Sequence, residues 1–181
     1  MKLDKIFNDL ILITPEVFED NRGYFFESFN KAKYSEKFGN EVVIIQDNES
    51  KSSKGTLRGL HYQIPPYTQA KIVRVVYGEV LDVVVDMRLH SKTFGQWKSV
   101  ILNDDNKKQL FIPRGYAHGF VVLSDEAIFS YKVDNLYMPD YEKTIIWNDD
   151  FLNIDWMIDH SDITLSEKDE QGLSFAEATK I

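Results

Sequence analysis

The stretch IVRVVYGEVLDVVVDMR, residues 72–88, decides the fold. It divides into two β-rich runs, IVRVV (72–76) and VLDVVVDMR (80–88), around the turn chemistry of Tyr77, Gly78 and Glu79. In the second run Asp82, Val84 and Asp86 share one strand face, while Val83, Val85 and Met87 share the other. Two carboxylates on one face predict that the face is at least partly wet. The lumen of a small barrel satisfies that condition, and so does plain solvent. Similar runs follow: WKSVIL (97–102), KQLFI (108–112), HGFVVL (118–123) and AIFSYKV (127–133). Turn-forming clusters at 103–106, 113–115 and 124–126 separate them. Many strands at a spacing of about ten residues predict an all-β sandwich or barrel.

Helical signals are few. NKAKYSEKFG (30–39) predicts a short helix ended by Gly39. SEKDEQG (166–172) predicts another, with Ser166 as N-cap and Asp169 at the capping-box position. The chain reads as one domain over residues 1–181, all-β at its centre, with an N-terminal arm and a C-terminal tail of helix and turn.

Composition narrows the function. At 43% apolar residues, a chain of 181 supports one substantial core. The absence of cysteine excludes disulfides and thiolate chemistry, and fits a reducing compartment. Asp4, Asn8 and Asp9 interrupt the first apolar stretch, so no signal peptide is expected. No run reaches the ~20 apolar residues of a membrane span. These features predict a soluble cytoplasmic protein without a membrane partner. A net charge of −8 argues against nucleic acid, but not against a small phosphorylated ligand held by two or three cations.

TLRGLHYQ (56–63) carries Arg58, His61, Tyr62 and Gln63 in strand-like sequence just before Pro65 and Pro66. Either it is an exposed edge strand with scattered polar residues, or it is a site pairing a guanidinium for an anion with an imidazole for proton transfer. Of the four histidines, His90 and His160 lie in polar, turn-like surroundings and read as surface residues. His61 and His118 each adjoin strand-like sequence and a glycine. No H-x-H spacing occurs, so neither a metal nor another cofactor is expected.

Taken in order, RGLHYQ, QAKIVRVVYGEVLDVVVDMR, SKTFGQW, FIPRGYAHGF, SYKVDNLYMPDYE and IIWNDDFLNIDW resemble the dTDP-4-dehydrorhamnose 3,5-epimerase family, metal-free members of the cupin superfamily. The resemblance runs from about Ile11 to Ala176. It implies a jelly-roll homodimer acting on a nucleotide-diphospho-4-keto-6-deoxy sugar, with protons removed beside the ketone at carbons 3 and 5 and returned to the opposite face. By the same resemblance, His61 is the base, Asp169 its carboxylate partner, Tyr131 the acid and Lys71 the cation beside the ketone oxygen. Arg22 and Arg58 match the diphosphate contacts, Arg22 being open to donation from a partner subunit's arm. Phe25 and Tyr137 match the rings that sandwich the base, and Glu27 a residue at the base edge. Gln46 and Asn48 match polar ligand contacts, and His118 a residue near the sugar and its phosphate. The aromatic-rich YFFESF (24–29) is a strand suited to swapping onto a partner. The family often shows proline after the tryptophan of IDW, whereas Met157 follows Trp156 here.

The implied chemistry makes sense of these residue types. Proton loss beside a ketone leaves an enolate. An imidazole with a pKa near 6.5 can take the proton at neutral pH, a carboxylate can orient it, and a cation can hold the oxyanion. Inversion needs a separate acid on the far face, and a phenol is acidic enough against an enolate. Other readings remain: the same chemistry on a GDP-linked 4-keto heptose, epimerisation at one carbon, a non-catalytic sugar-nucleotide binder, or a metal-dependent cupin.

Overall fold

The structure, a computed structural model, describes residues 1–38 and 42–181. Thirteen strands and two short α-helices follow one another among the described residues. They are β1 (Lys2–Phe7), β2 (Leu10–Thr14), β3 (Val17–Asp20), β4 (Gly23–Phe26), α1 (Lys31–Phe38), β5 (Gln46–Ser53), β6 (Leu57–Gln63), β7 (Lys71–Tyr77), β8 (Glu79–Asp86), β9 (Trp97–Asn103), β10 (Gln109–Ile112), β11 (Tyr116–Val122), β12 (Glu126–Val133), β13 (Glu142–Thr144) and α2 (Glu167–Glu170). Helix α1 falls where the sequence placed it, and Gly39, expected to end it, lies outside the described residues.

One sheet has the order β1-β2-β10-β7-β12-β5, the other β13-β6-β11-β8-β9, and β3-β4 form a separate hairpin. The eight strands β5–β12 make a jelly roll, extended by β1 and β2 on one sheet and by β13 on the other. The sequence reading missed β1–β3, β5 and β13, and β4 overlaps the arm strand YFFESF. The expected N-terminal arm begins instead as a pair of sheet strands, β1 and β2. Strand β5, QDNESKSS, has almost no β-forming residues, and its polar side chains alternate at an exposed edge. An eight-residue antiparallel ladder with β12 holds it extended.

Strand parity sets the layers. Val73, Val75, Val80, Val84, Leu110, Phe120 and Phe129 meet between the sheets. On the outer face of the five-stranded sheet, Leu60, Leu81, Val83, Val85 and Val121 pack against Ile145, Leu152, Trp156 and Phe175 of the C-terminal segment. Tyr34 of α1 covers Ile13, Ile72 and Phe111 on the other sheet's outer face. Strand β8 is thus buried on both sides, which is why apolar residues occupy both of its faces.

That burial overturns the expected wet face, because Asp82 and Asp86 are both 0% exposed. Each is instead engaged by protein, Asp82 through one oxygen and Asp86 through both. Asp82 Oδ2 lies 2.8 Å from His118 Nε2. Asp86 accepts from Arg88, Ser91 and Thr93. The departure at Met157 also has a local form. Its φ of +58° and its N–H donated to Asp155 Oδ1 are both closed to proline.

Strands β6 and β11 come unusually close at a bulge. His118 pairs with His61 and Phe120 with Arg58, so two steps on β11 span three on β6. Gly59 sits in the extra step with φ +124°, and a Cβ there would meet Gly119 Cα at 2.5 Å and the His118 carbonyl oxygen at 2.7 Å. Gly59→Ala is therefore expected to lower stability by about 2–4 kcal/mol in urea denaturation, combining strain and overpacking. Gly23→Ala has a similar φ but open space around its Cβ, and should cost visibly less.

Candidate active site

The inward faces of the two sheets part at one end and enclose a cavity of about 230 Å³. Arg58, His61, Lys71, His118, Tyr131 and Tyr137 line it, together with Gln69, Glu142 and others. His61 and Arg58 come from β6, His118 from β11 of the same sheet, while Lys71 (β7) and Tyr131 (β12) come from the opposite sheet. The imidazole of residue 61 and the phenol of residue 131 thus approach the cavity from facing walls. Gln46 and Asn48 of β5, bonded to each other at 2.8 Å, line an adjoining recess with Tyr131, Tyr137 and Glu142.

His61 Nε2 lies 2.5 Å from Asp169 Oδ1. The two are 108 residues apart, and α2 makes the meeting possible. Ser166 caps α2, its hydroxyl accepting from the Asp169 amide while donating to the Asp169 carboxylate at 2.7 Å. A capping box would turn the Asp169 carboxylate to the Ser166 backbone, but here it serves His61, the Ser166 hydroxyl and the Gly59 N–H. Asp169 is only 3% exposed. Burial alone would raise its pKa, but the bonds from His61, Ser166 and Gly59 hold it below the usual carboxylate value.

Lys71 points into the sandwich, and burial pushes its pKa down to about 8 against the opposing pull of Glu142 and Asp82. Burial likewise drives the His118 imidazole down and the Asp82 carboxyl up. Burial, aided by Glu142, raises Tyr131 and keeps its phenol protonated near neutrality. Arg58 donates Nε–H to Ser52 Oγ at 3.1 Å. Tyr137 is half-exposed, and its hydroxyl donates to Glu142 Oε2 at 2.7 Å, a bond that raises it to about 12.

Three expected residues lie elsewhere in the same chain. Arg22, with 85% of its side chain exposed, pairs with Asp20 on the β3–β4 hairpin. Phe25, 70% exposed, stands beside it. Glu27 bonds Asn30 and Lys33. None of the three lines the cavity with His61. His90 and His160 are exposed, as expected.

Glu142, at the cavity, and Asp82, behind His118, are not among the residues that the sequence singles out for the site. Glu142 sits in the three-residue strand β13, accepting from Tyr137 and from Lys168, and no periodicity marks so short an element. In the sequence Asp82 reads only as a sign of wetness, although its parity with the inward face is the available clue to its bond with His118. Among the described residues, no group of three or more His, Asp or Glu side chains is placed to hold a metal ion. Nor is any helix long and apolar enough to cross a membrane.

A family model described as dTDP-4-dehydrorhamnose 3,5-epimerase matches residues 5–177. A protein of that name from Shigella flexneri is 52% identical over 170 residues, covering 94% of this chain and 93% of the relative. The crystal structure of the enzyme of that name from Elizabethkingia anophelis superimposes with a TM-score of 0.93 at 49% identity, covering 98% and 97% of the two chains. A Legionella pneumophila dTDP-6-deoxy-D-glucose-3,5-epimerase, in complex with dTDP-4-keto-L-rhamnose, gives a TM-score of 0.94 at 45% identity, covering 98% and 94%. The chain belongs to the dTDP-4-dehydrorhamnose 3,5-epimerase family.

Proposed function

We propose that this enzyme inverts carbons 3 and 5 of dTDP-4-dehydro-6-deoxyglucose, with His61 as base and Tyr131 as acid. One observation carries the reading: a carboxylate-bonded imidazole and a half-buried phenol face a single cavity from opposite sheets. The Asp169 carboxylate keeps a proton on the nitrogen it touches, so the other ring nitrogen offers its lone pair to the sugar C–H. Charge then moves onto the ketone oxygen, where Lys71 supplies the cation in a site sheltered from water. Tyr131 returns a proton to the far face and is recharged from solvent. The same two groups serve each carbon in turn, the sugar rotating or shifting between the two steps.

Arg58 and His118 hold the diphosphate and sugar on this reading, Gln46 and Asn48 contact the nucleoside, and Tyr137 stacks on its base. Arg22, Phe25 and Glu27 are supplied across a homodimer, because the hairpin exposes aromatic and cationic groups that its own cavity does not use. The enzyme acts in the cytoplasm, without metal or other cofactor.

Transfer in two hands separates exchange from inversion. In deuterated water with the dTDP-4-keto sugar, His61→Ala should lose both deuterium uptake and epimerisation by about 10²–10⁴-fold. Tyr131→Phe should still exchange carbon-bound protons, returned by His61 to the original face, while product inversion fails. Exchange with the GDP-linked heptose and not with the dTDP sugar would overturn the substrate assignment.

The cation gives a pH signature. Lys71 is charged below its pKa of about 8 and neutral above it, so kcat/KM should fall as pH rises through 8. Lys71→Met should flatten that limb and lower kcat by about 10²–10³-fold, which a rate profile from pH 6 to 10 reads directly.

Sharing across the dimer is tested by mixing two inactive variants, His61→Ala and Arg22→Ala. Heterodimers rebuild one intact site of two, so roughly a quarter of wild-type activity should return after subunit exchange. No recovery, or a monomer in sedimentation, would overturn the sharing of Arg22 between subunits.

A further inference from the structure

Gln63 stands two residues beyond His61, on the same face of β6, and is 5% exposed. It does not line the cavity. Its carboxamide is spent on backbone. Nε2 donates to the Tyr67 carbonyl at 2.6 Å and to the Leu136 carbonyl at 3.0 Å, while Oε1 accepts the Met138 N–H at 2.6 Å. Leu136 and Met138 are the two neighbours of Tyr137, so one amide grips the chain on both sides of that ring. Only a side-chain amide offers donors and an acceptor on one group: glutamate lacks the donors and lysine lacks the acceptor.

The grip matters because the Tyr137 ring has little else to orient it. The ring is half-exposed and bonded through its hydroxyl alone. The surrounding loop is fastened the same way. Gln69 Nε2 donates to the Asn135 carbonyl at 2.8 Å, and Asn135 Nδ2 donates to the Thr68 carbonyl at 3.3 Å. The direction of the ring is therefore set by backbone held from β6 rather than by packing around the ring.

We propose that Gln63 is a positioning residue that holds Tyr137 ready to stack on the nucleoside base, so that it sets affinity for the nucleoside end of the substrate and leaves proton transfer untouched. The inference rests on the assignment of a nucleotide-sugar substrate given above. Ordering the ring before binding removes an entropic cost that the ligand would otherwise bear.

The test is calorimetric titration of Gln63→Met with dTDP and, separately, with inorganic pyrophosphate, alongside steady-state kinetics. Methionine keeps the length and removes all the bonds. Affinity for dTDP should fall about tenfold, within the loss expected for one base–aromatic stack, while pyrophosphate affinity and kcat stay at wild-type values and KM rises. On a Tyr137→Ala background the same substitution should cost nothing more. Equal losses for both ligands, additivity with Tyr137→Ala, or a fall in kcat alone would overturn the proposal, as would a wild-type protein that ignores dTDP. Should Gln63→Met not fold, Asn135→Ala cuts the same loop's fastening from the surface, and must give the same selective loss of dTDP affinity. A wild-type protein that binds dTDP in this Gln63-dependent way yet exchanges no sugar protons would overturn the epimerase reading and leave this one standing.

Discussion

The pocket depends on two glycines passing each other without side chains. Gly59 and Gly119 let β6 and β11 approach at the bulge to a distance that any Cβ on residue 59 would forbid. That approach sets His61 opposite His118 in register. It also turns the Gly59 amide toward Asp169, at 3.4 Å, so a packing constraint and a polar one meet in the same residue. Shifting this register by one position would carry the imidazole to the outer face, into the layer occupied by Trp156 and Ile145.

Around that crossing the sandwich gives up stability for chemistry. Lys71, Asp82 and His118 occupy inward positions that elsewhere hold valine and phenylalanine. Asp82 Oδ1 is buried without a hydrogen-bond partner among the described residues. A group left that way costs about 1–3 kcal/mol, which the apolar layers on both sides of β8 must offset. Buried ionisable groups clustered in a cleft are a common mark of a functional site.

The central strands were legible because their signal is local. Runs rich in valine, isoleucine and aromatics, broken by Gly, Asn and Asp turns, announce β7 to β12 without reference to anything distant. Strand β5 was illegible for the opposite reason: its extended form comes from the β12 ladder, and QDNESKSS on its own reads as loop. The aspartates of β8 misled because alternation tells which residues share a face but not what covers it. Only the folded chain brings His118 and Arg88 to them. For the site, family resemblance named half of the lining residues, yet Glu142 sits in a three-residue strand that no spacing encodes. Arg22, Phe25 and Glu27, named by the same resemblance from outside the motifs that carry it, lie apart from the cavity of their own chain.

The C-terminal segment does two jobs with one docking event. It seals the outer face of the five-stranded sheet through Leu152, Trp156 and Phe175, and it delivers Asp169 to His61. Parallel bridges from Thr56 to Thr164 and from Ile145 to Leu173 stitch it down on either side of that carboxylate. During synthesis the jelly-roll strands therefore leave the ribosome well before the group that orients the imidazole. A nascent or prematurely terminated chain carries the walls of the pocket, and His61 gains its carboxylate companion only when the last quarter of the polypeptide has settled.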